Sequence, residues 1–280
     1  MALSWDICGI ISALFGVTCI FFAALSLSSL VADVYTIYRF SAFTVLAVFC
    51  FATLIVDQKH ATQTKERWHI AIQPAALFVL IFVFFNRSAF YDGSAFVWFP
   101  YLLDVFALTF AILIILYLSS LFTWKTVVLF AGLLTVLDVI LVFSGPMVAA
   151  AQTFTDAGLP VLVWLPKVPL LITANGIQLS GLGLGDYFFA GILAIQTLKK
   201  FGKKTAYISA VAMAFAFGVW ELFLPEITAF FGIRGFPATV CIITGWIPVA
   251  AIALYYQKKK EIKNMQSTTT LPIDKGAANP

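Results

Sequence analysis

Two acids, Asp138 and Asp186, stand where an acid needs a chemical reason. Asp138 lies within the apolar run Leu133-Leu-Thr-Val-Leu-Asp138-Val-Ile-Leu-Val-Phe143, and no basic residue follows Lys125 in that run. Asp186 closes Gly181-Leu-Gly-Leu-Gly185 and opens Tyr187-Phe-Phe189. A charged side chain at the centre of a bilayer costs roughly 3 kcal/mol or more, so an acid inside a membrane span reads as functional by default. Two carboxyl groups held close in a low-dielectric site do not both ionise cheaply; one keeps its proton and the pair titrates as a unit. Such a pair can activate water. The ionised acid takes a proton from water as general base, the protonated acid polarises a carbonyl, and an acid then protonates the leaving nitrogen.

The surrounding residues suit that chemistry. Gly181, Gly183 and Gly185 are poor helix formers, and without Cβ atoms they let another backbone come close. At 1.5 Å per residue Asp138 lies about two turns before Gly145-Pro146, where its helix is expected to kink or end. Asp186 lies about one turn into the next helix, which runs the opposite way. Both acids then fall at a similar shallow depth under the outer surface. The stretch 151–180 between them carries Pro160, Pro166 and Pro169. A proline inside a helix loses a hydrogen bond, so Val161-Leu-Val-Trp-Leu165 is expected to be extended. An unwound substrate could find edge hydrogen bonds there by strand addition. Two further acids read as structural: Asp104 near the start of its helix, and Glu221 about one turn from the outer end of its span.

The elements that must position these acids are membrane helices. Of the 280 residues 62% are apolar and 11% charged, against about 45–50% and about 25% in soluble domains. Spans of about 20 apolar residues are expected at roughly 7–30, 38–56, 69–85, 101–122, 126–149, 182–198, 205–224 and 237–256. The fold class is thus an all-α polytopic membrane protein with eight transmembrane helices, or nine if two have been merged or one missed. With eight spans, thirteen of the seventeen lysines and arginines fall on one side, among them Lys199, Lys200, Lys203, Lys204 and Lys258–Lys260. That bias puts both termini in the cytoplasm. Residues 1–125 are read as N-terminal helices, 126–256 as a catalytic core with its linker at 151–181, and 257–280 as a basic, disordered tail. The opening run is too long for a signal-peptide core and is read as a retained span. Compact loops suit a prokaryotic plasma membrane. Trp68, Trp98 and Trp124 fall at span ends, as an interfacial belt places them.

The residues around the two acids resemble the presenilin and signal peptide peptidase family of intramembrane aspartyl proteases. Gly183-Leu184-Gly185-Asp186 matches the family's Gly-x-Gly-Asp motif. Leu137-Asp138 is similar to its Tyr-Asp, with Leu for Tyr, and Pro237-Ala238-Thr239 stands where the family has Pro-Ala-Leu, with Thr for Leu. The linker Gly158–Lys167 is similar to the apolar segment of microbial members. The resemblance covers roughly residues 126–256. It implies a presenilin-like helical bundle, usually of nine spans, with Asp138 and Asp186 as the catalytic pair. Gly183, Leu184 and Gly185 would shape the active-site backbone, and Pro237, Ala238 and Thr239 would position the acids and the substrate. The implied substrates are transmembrane helices of membrane proteins or remnant signal peptides. The cytoplasmic C-terminus matches the signal-peptide-peptidase orientation.

Rival readings remain. Intramembrane acids beside a glycine-broken helix also suit a cation- or proton-coupled transporter, although no inverted repeat is visible. A family member without proteolytic activity is another. The prepilin peptidases share Gly-x-Gly-Asp but usually carry a lysine soon after it, where Tyr187-Phe-Phe189 stands here. Cys8, Cys19, Cys50 and Cys241 have no metal or redox spacing and read as packing residues. His60 and His69 read as interfacial. No metal, cofactor or nucleic-acid partner is expected; the partners are the lipid bilayer and the substrate helix.

Overall fold

The computed structural model describes residues 34–60, 99–145, 162–166, 172–173, 176–177, 179–232 and 236–269. The spans expected at 7–30 and 69–85 lie outside them. The remaining six expected spans coincide with helices: α1 (Val34–His60), α2 (Phe99–Leu118), α3 (Trp124–Ser144), α4 (Leu184–Phe201), α5 (Lys203–Phe231) and α6 (Ala238–Thr269). Among the described residues, Trp124–Ser144 and Ala238–Gln266 are long and apolar enough to cross a membrane by themselves, and Phe43–Gln58 and Ala107–Leu118 are shorter apolar helices.

The linker adds short strands to the helical bundle. It forms four short strands, β1 (Leu162–Pro166), β2 (Ile172–Thr173), β3 (Gly176–Ile177) and β4 (Leu179–Gly183). β1 runs antiparallel to β4, with Leu162 opposite Gly183 and Pro166 opposite Leu179. Inside that hairpin β2 pairs with β3. The segment expected to be extended at 161–165 is thus nearly all of β1. Prolines that stop a helix leave backbone groups needing partners, and a second strand supplies them.

Helix α4 is the centre of the bundle. Every residue from Phe189 to Thr197 is buried, and α1, α2, α3, α5 and α6 all pack against it. A helix apolar on every side belongs in the middle of such a bundle. Three polar side chains near its C-terminal end are matched. Gln196 donates to the carbonyls of Ser119 (3.0 Å) and Phe122 (3.1 Å), and Lys199 donates to the Ser119 carbonyl at 2.6 Å. These carbonyls follow α2, where donors and positive charge are favourable. Trp246 of α6 donates to Thr197 Oγ1 at 2.9 Å. Trp124 packs edge-on against Phe201, with ring centroids 4.9 Å apart, and against Trp246 at 5.5 Å. The expected interfacial Trp124 is therefore also a packing residue.

These contacts fix relative direction. The C-terminal ends of α2 and α4 meet the start of α3, so α3 runs against both. Gln58 of α1 reaches Tyr207 near the start of α5. The lysine-rich connection Lys199–Lys204 thus shares one end of the bundle with Lys59 and Lys125, and the start of α4 lies at the other.

Two boundaries differ from expectation. Helix α6 runs on to Thr269, although a disordered tail was expected from residue 257. Extending an existing helix adds one hydrogen bond per residue fixed, and Gln257 bonds Glu261 one turn on, at 3.3 Å. Residues 270–280 lie outside the described set. Helix α5 continues to Phe231, so Glu221 lies ten residues, or about 15 Å, before its end rather than one turn. Helix α3 stops at Ser144 because Gly145 adopts φ +90°, a left-handed cap, with Pro146 next.

Close approach of α5 and α6 gives a test of the packing. A Cβ at Gly245 would lie 2.7 Å from the Ala212 carbonyl carbon and 2.8 Å from Met213 Cα. Backbone does not yield as a side-chain tip does. Gly245→Ala is expected to destabilise the fold by about 1–3 kcal/mol, and Gly245→Val by more. Thermal unfolding in detergent measures this.

Candidate active site

Three helices bring the predicted residues together. Helix α3 begins with a capping box between Thr123 and Thr126 and turns a row of apolar side chains outwards. Leu129 is 64% exposed and Leu133 57%. Leu137, the neighbour of Asp138, is 52% exposed. It belongs to that outer face, so the leucine in the tyrosine position lies beside the lipid-like surface. Asp138 is half-buried and turns to α6.

Asp138 Oδ2 accepts the Thr239 hydroxyl at 2.6 Å and the Thr239 backbone N–H at 3.3 Å. Local sequence explains the encounter. Helix α6 starts at Ala238, directly after Pro237. The first N–H groups of a helix have no acceptor within it, and Pro237 has no side chain to cap them. Asp138 caps α6 from a neighbouring helix, where its negative charge also meets the positive end of the helix dipole. Pro237 is buried, and its carbonyl accepts Val240 N–H at 3.1 Å. Ala238 packs against the core. Thr239 is 4% exposed.

Asp186 sits in the first turn of α4, with Gly183 at its N-cap. The carboxylate folds back over that glycine: a Cβ at Gly183 would lie 2.8 Å from Asp186 Oδ2 and 3.8 Å from its Cγ. Gly183 itself, at φ −58° and ψ 133°, is in a conformation open to any L residue. Glycine is needed here for space. Gly185 differs: it is exposed, with nothing within 4 Å of where its Cβ would stand. Leu184 packs against the core between them.

Asp138 lies near enough for its charge to act on Asp186. Cys241, two residues beyond Thr239, is buried, and Trp220, the neighbour of Glu221, donates to Thr244 Oγ1 of α6 at 3.0 Å and stacks on Phe236. Helices α3, α4 and α5 thus converge on the start of α6, at the end of α4 remote from Lys199–Lys204. Among the described residues no group of three or more His, Cys, Asp or Glu side chains is arranged to hold a metal ion. The side chain of Asp104 lies outside the described set. Cys50 and Cys241 are buried free thiols within the core, and Cys8 and Cys19 lie outside the described residues.

Sequence reading placed Thr239 among the positioning residues but did not find the partner of its hydroxyl. It appears in the sequence only as a departure from Pro-Ala-Leu, 101 residues from Asp138. The one signal pointing to it is a polar side chain at the first turn of an otherwise apolar helix. Compared with protein-family models, curated proteins and solved structures, the chain matches none.

Proposed function

We propose that the chain is an intramembrane aspartic endopeptidase that hydrolyses peptide bonds in transmembrane segments of membrane proteins or in remnant signal peptides. Asp138 and Asp186 supply the chemistry without a cofactor. The observation that carries the reading is that α3 and α4, which bear the two acids, are neighbours in the bundle, with Asp138 turned inwards to the start of α6. A water between them loses a proton to one carboxylate while the other, protonated, polarises the scissile carbonyl. The tetrahedral intermediate collapses as an acid protonates the leaving nitrogen.

The apolar outer face of α3 supports a bilayer as the solvent, since a contiguous exposed apolar surface in water invites aggregation. The bundle is read as multi-pass, with eight or nine spans and both termini cytoplasmic, the lysine-rich end facing the cytoplasm. The β1–β4 pair supports the handling of an extended substrate. β4 leads straight into Gly183, and an unwound segment can add to a strand edge.

A dyad that works in one protonation state is expected to give a bell-shaped dependence of kcat on pH. The rate falls at low pH as both acids protonate and at high pH as both ionise. Cleavage of a single-span peptide in liposomes, followed by mass spectrometry across pH, measures this. A rate that rises to a plateau with a single ionisation would contradict proton sharing.

Glu221 favours a second reading. It acts on the same Cys241 as the two aspartates and lies well inside α5, and a set of intramembrane acids can relay protons or bind a cation. Proton and cation flux in the same vesicles decides between the two. Flux without peptide products would point to a transporter; peptide binding with neither would point to a family member without proteolytic activity.

A further inference from the structure

We propose that Thr239 is a positioning residue that fixes Asp138 as the base of the pair. This rests on the protease reading and adds a division of labour to it. Thr239 is 4% exposed, so its hydroxyl hydrogen has little water to turn to and needs an acceptor. It takes Asp138 Oδ2 at 2.6 Å, and the N–H of the same residue takes the same oxygen at 3.3 Å. Two donors on one oxygen engage its lone pairs and hold the carboxylate in one orientation. Oδ1 is the oxygen that this contact leaves to receive a proton from water. Asp186 sits differently: its carboxylate lies over Gly183, which has no side chain to donate. It is suited to be the acid that polarises the carbonyl.

The two contacts also set geometry. The hydroxyl and the N–H approach from a single residue at the rigid start of a helix, behind buried Pro237. They pin the carboxylate in two directions. A leucine at position 239 would keep the N–H and lose the hydroxyl, so the threonine gives this chain a donor that Pro-Ala-Leu lacks. Among the described residues the hydrogen bonds to Asp138 come from Thr239.

The test compares the wild type with Thr239→Val, which keeps the shape and loses the hydroxyl, and Thr239→Ser, which keeps the hydroxyl. In liposomes with a single-span peptide, Thr239→Val is expected to lower kcat by about 10–100-fold with little change in KM. Thr239→Ser should stay within about threefold of wild type. Wild-type kcat in Thr239→Val would overturn the assignment. So would equal impairment of the serine variant, which would leave only the methyl group as the cause. If Thr239→Val does not fold, Thr239→Ala takes its place. A second measurement does not depend on cleavage: the infrared carboxylate band that disappears in Asp138→Asn. Its frequency should shift in Thr239→Val, which loses the hydroxyl bond, and stay in place in Thr239→Ser. If the wild type cleaves no peptide, the protease reading falls, and the infrared comparison still upholds or overturns the hold of Thr239 on Asp138.

Discussion

Asp138→Asn is expected to abolish cleavage, by roughly 10³-fold or more, while leaving the protein as well folded as before. The structure makes this a sharper test than alanine. Asp138 also caps α6 through Thr239, so removing its side chain would leave the N–H and the hydroxyl of Thr239 without their acceptor, at a cost of about 1–3 kcal/mol. Asparagine keeps an oxygen for both donors, and it is a good cap. It cannot take up and release a proton as the reaction requires. If Asp138 were a cap alone, asparagine would serve and activity would survive. Asp186→Asn is expected to give the same loss with the same stability, since Asp186 accepts no burden in the fold beyond the first turn of α4. Full loss in both variants, with unchanged unfolding in detergent, separates chemistry from structure. Residual cleavage above a few per cent of wild type in both would remove the two acids from the mechanism.

Gly183→Ala is expected to lower kcat by about 10²-fold and to leave the fold at least as stable. The new Cβ would stand 2.8 Å from Asp186 Oδ2, closer than real contacts allow. What must move is the free end of the aspartate side chain, which shifts easily. The fold therefore pays little and the site pays much: displacing a reacting group by about 1 Å can cost about 10²-fold in rate. The backbone at Gly183 suits alanine, and the change restricts the unfolded chain, which on its own stabilises by about 0.4–1 kcal/mol. Falling activity with steady or rising stability is the signature. Gly185→Ala adds its Cβ to open space and leaves Asp186 where it is, so its effect on kcat should be much smaller than that of Gly183→Ala. Equal effects at the two positions would mean that backbone flexibility, and not room for the carboxylate, is what the glycines provide.

The sequence singled out the two acids because each interrupts an apolar run, and the expense of charge in such surroundings needs no structure to be seen. It carried the end of α3 through Gly145-Pro146 and the extended linker through its prolines. The packing partner of that strand was not legible, because pairing depends on which distant segment the hairpin returns. Glu221 was misplaced because hydropathy marks where a helix stops being apolar, and α5 continues past that point to Phe231. The tail was misread for the same reason: Lys258–Lys260 end the apolar run while α6 goes on to Thr269. Thr239 shows the deeper limit. Its value lies in an acceptor 101 residues away, and only the crossing of α3 and α6 brings the two together. Leu137, noted in the sequence as Leu for Tyr, proves to face outwards, while the hydroxyl that meets Asp138 comes from α6.

An experimental structure with a peptide mimic bearing a hydroxyl isostere at the scissile position tests the central claim most directly. The predicted result is one hydroxyl seated between Asp138 and Asp186, within about 3 Å of a carboxyl oxygen of each. Carboxyl groups more than about 16 Å apart, the length of three helix turns, or a mimic bound against only one of them, would contradict it.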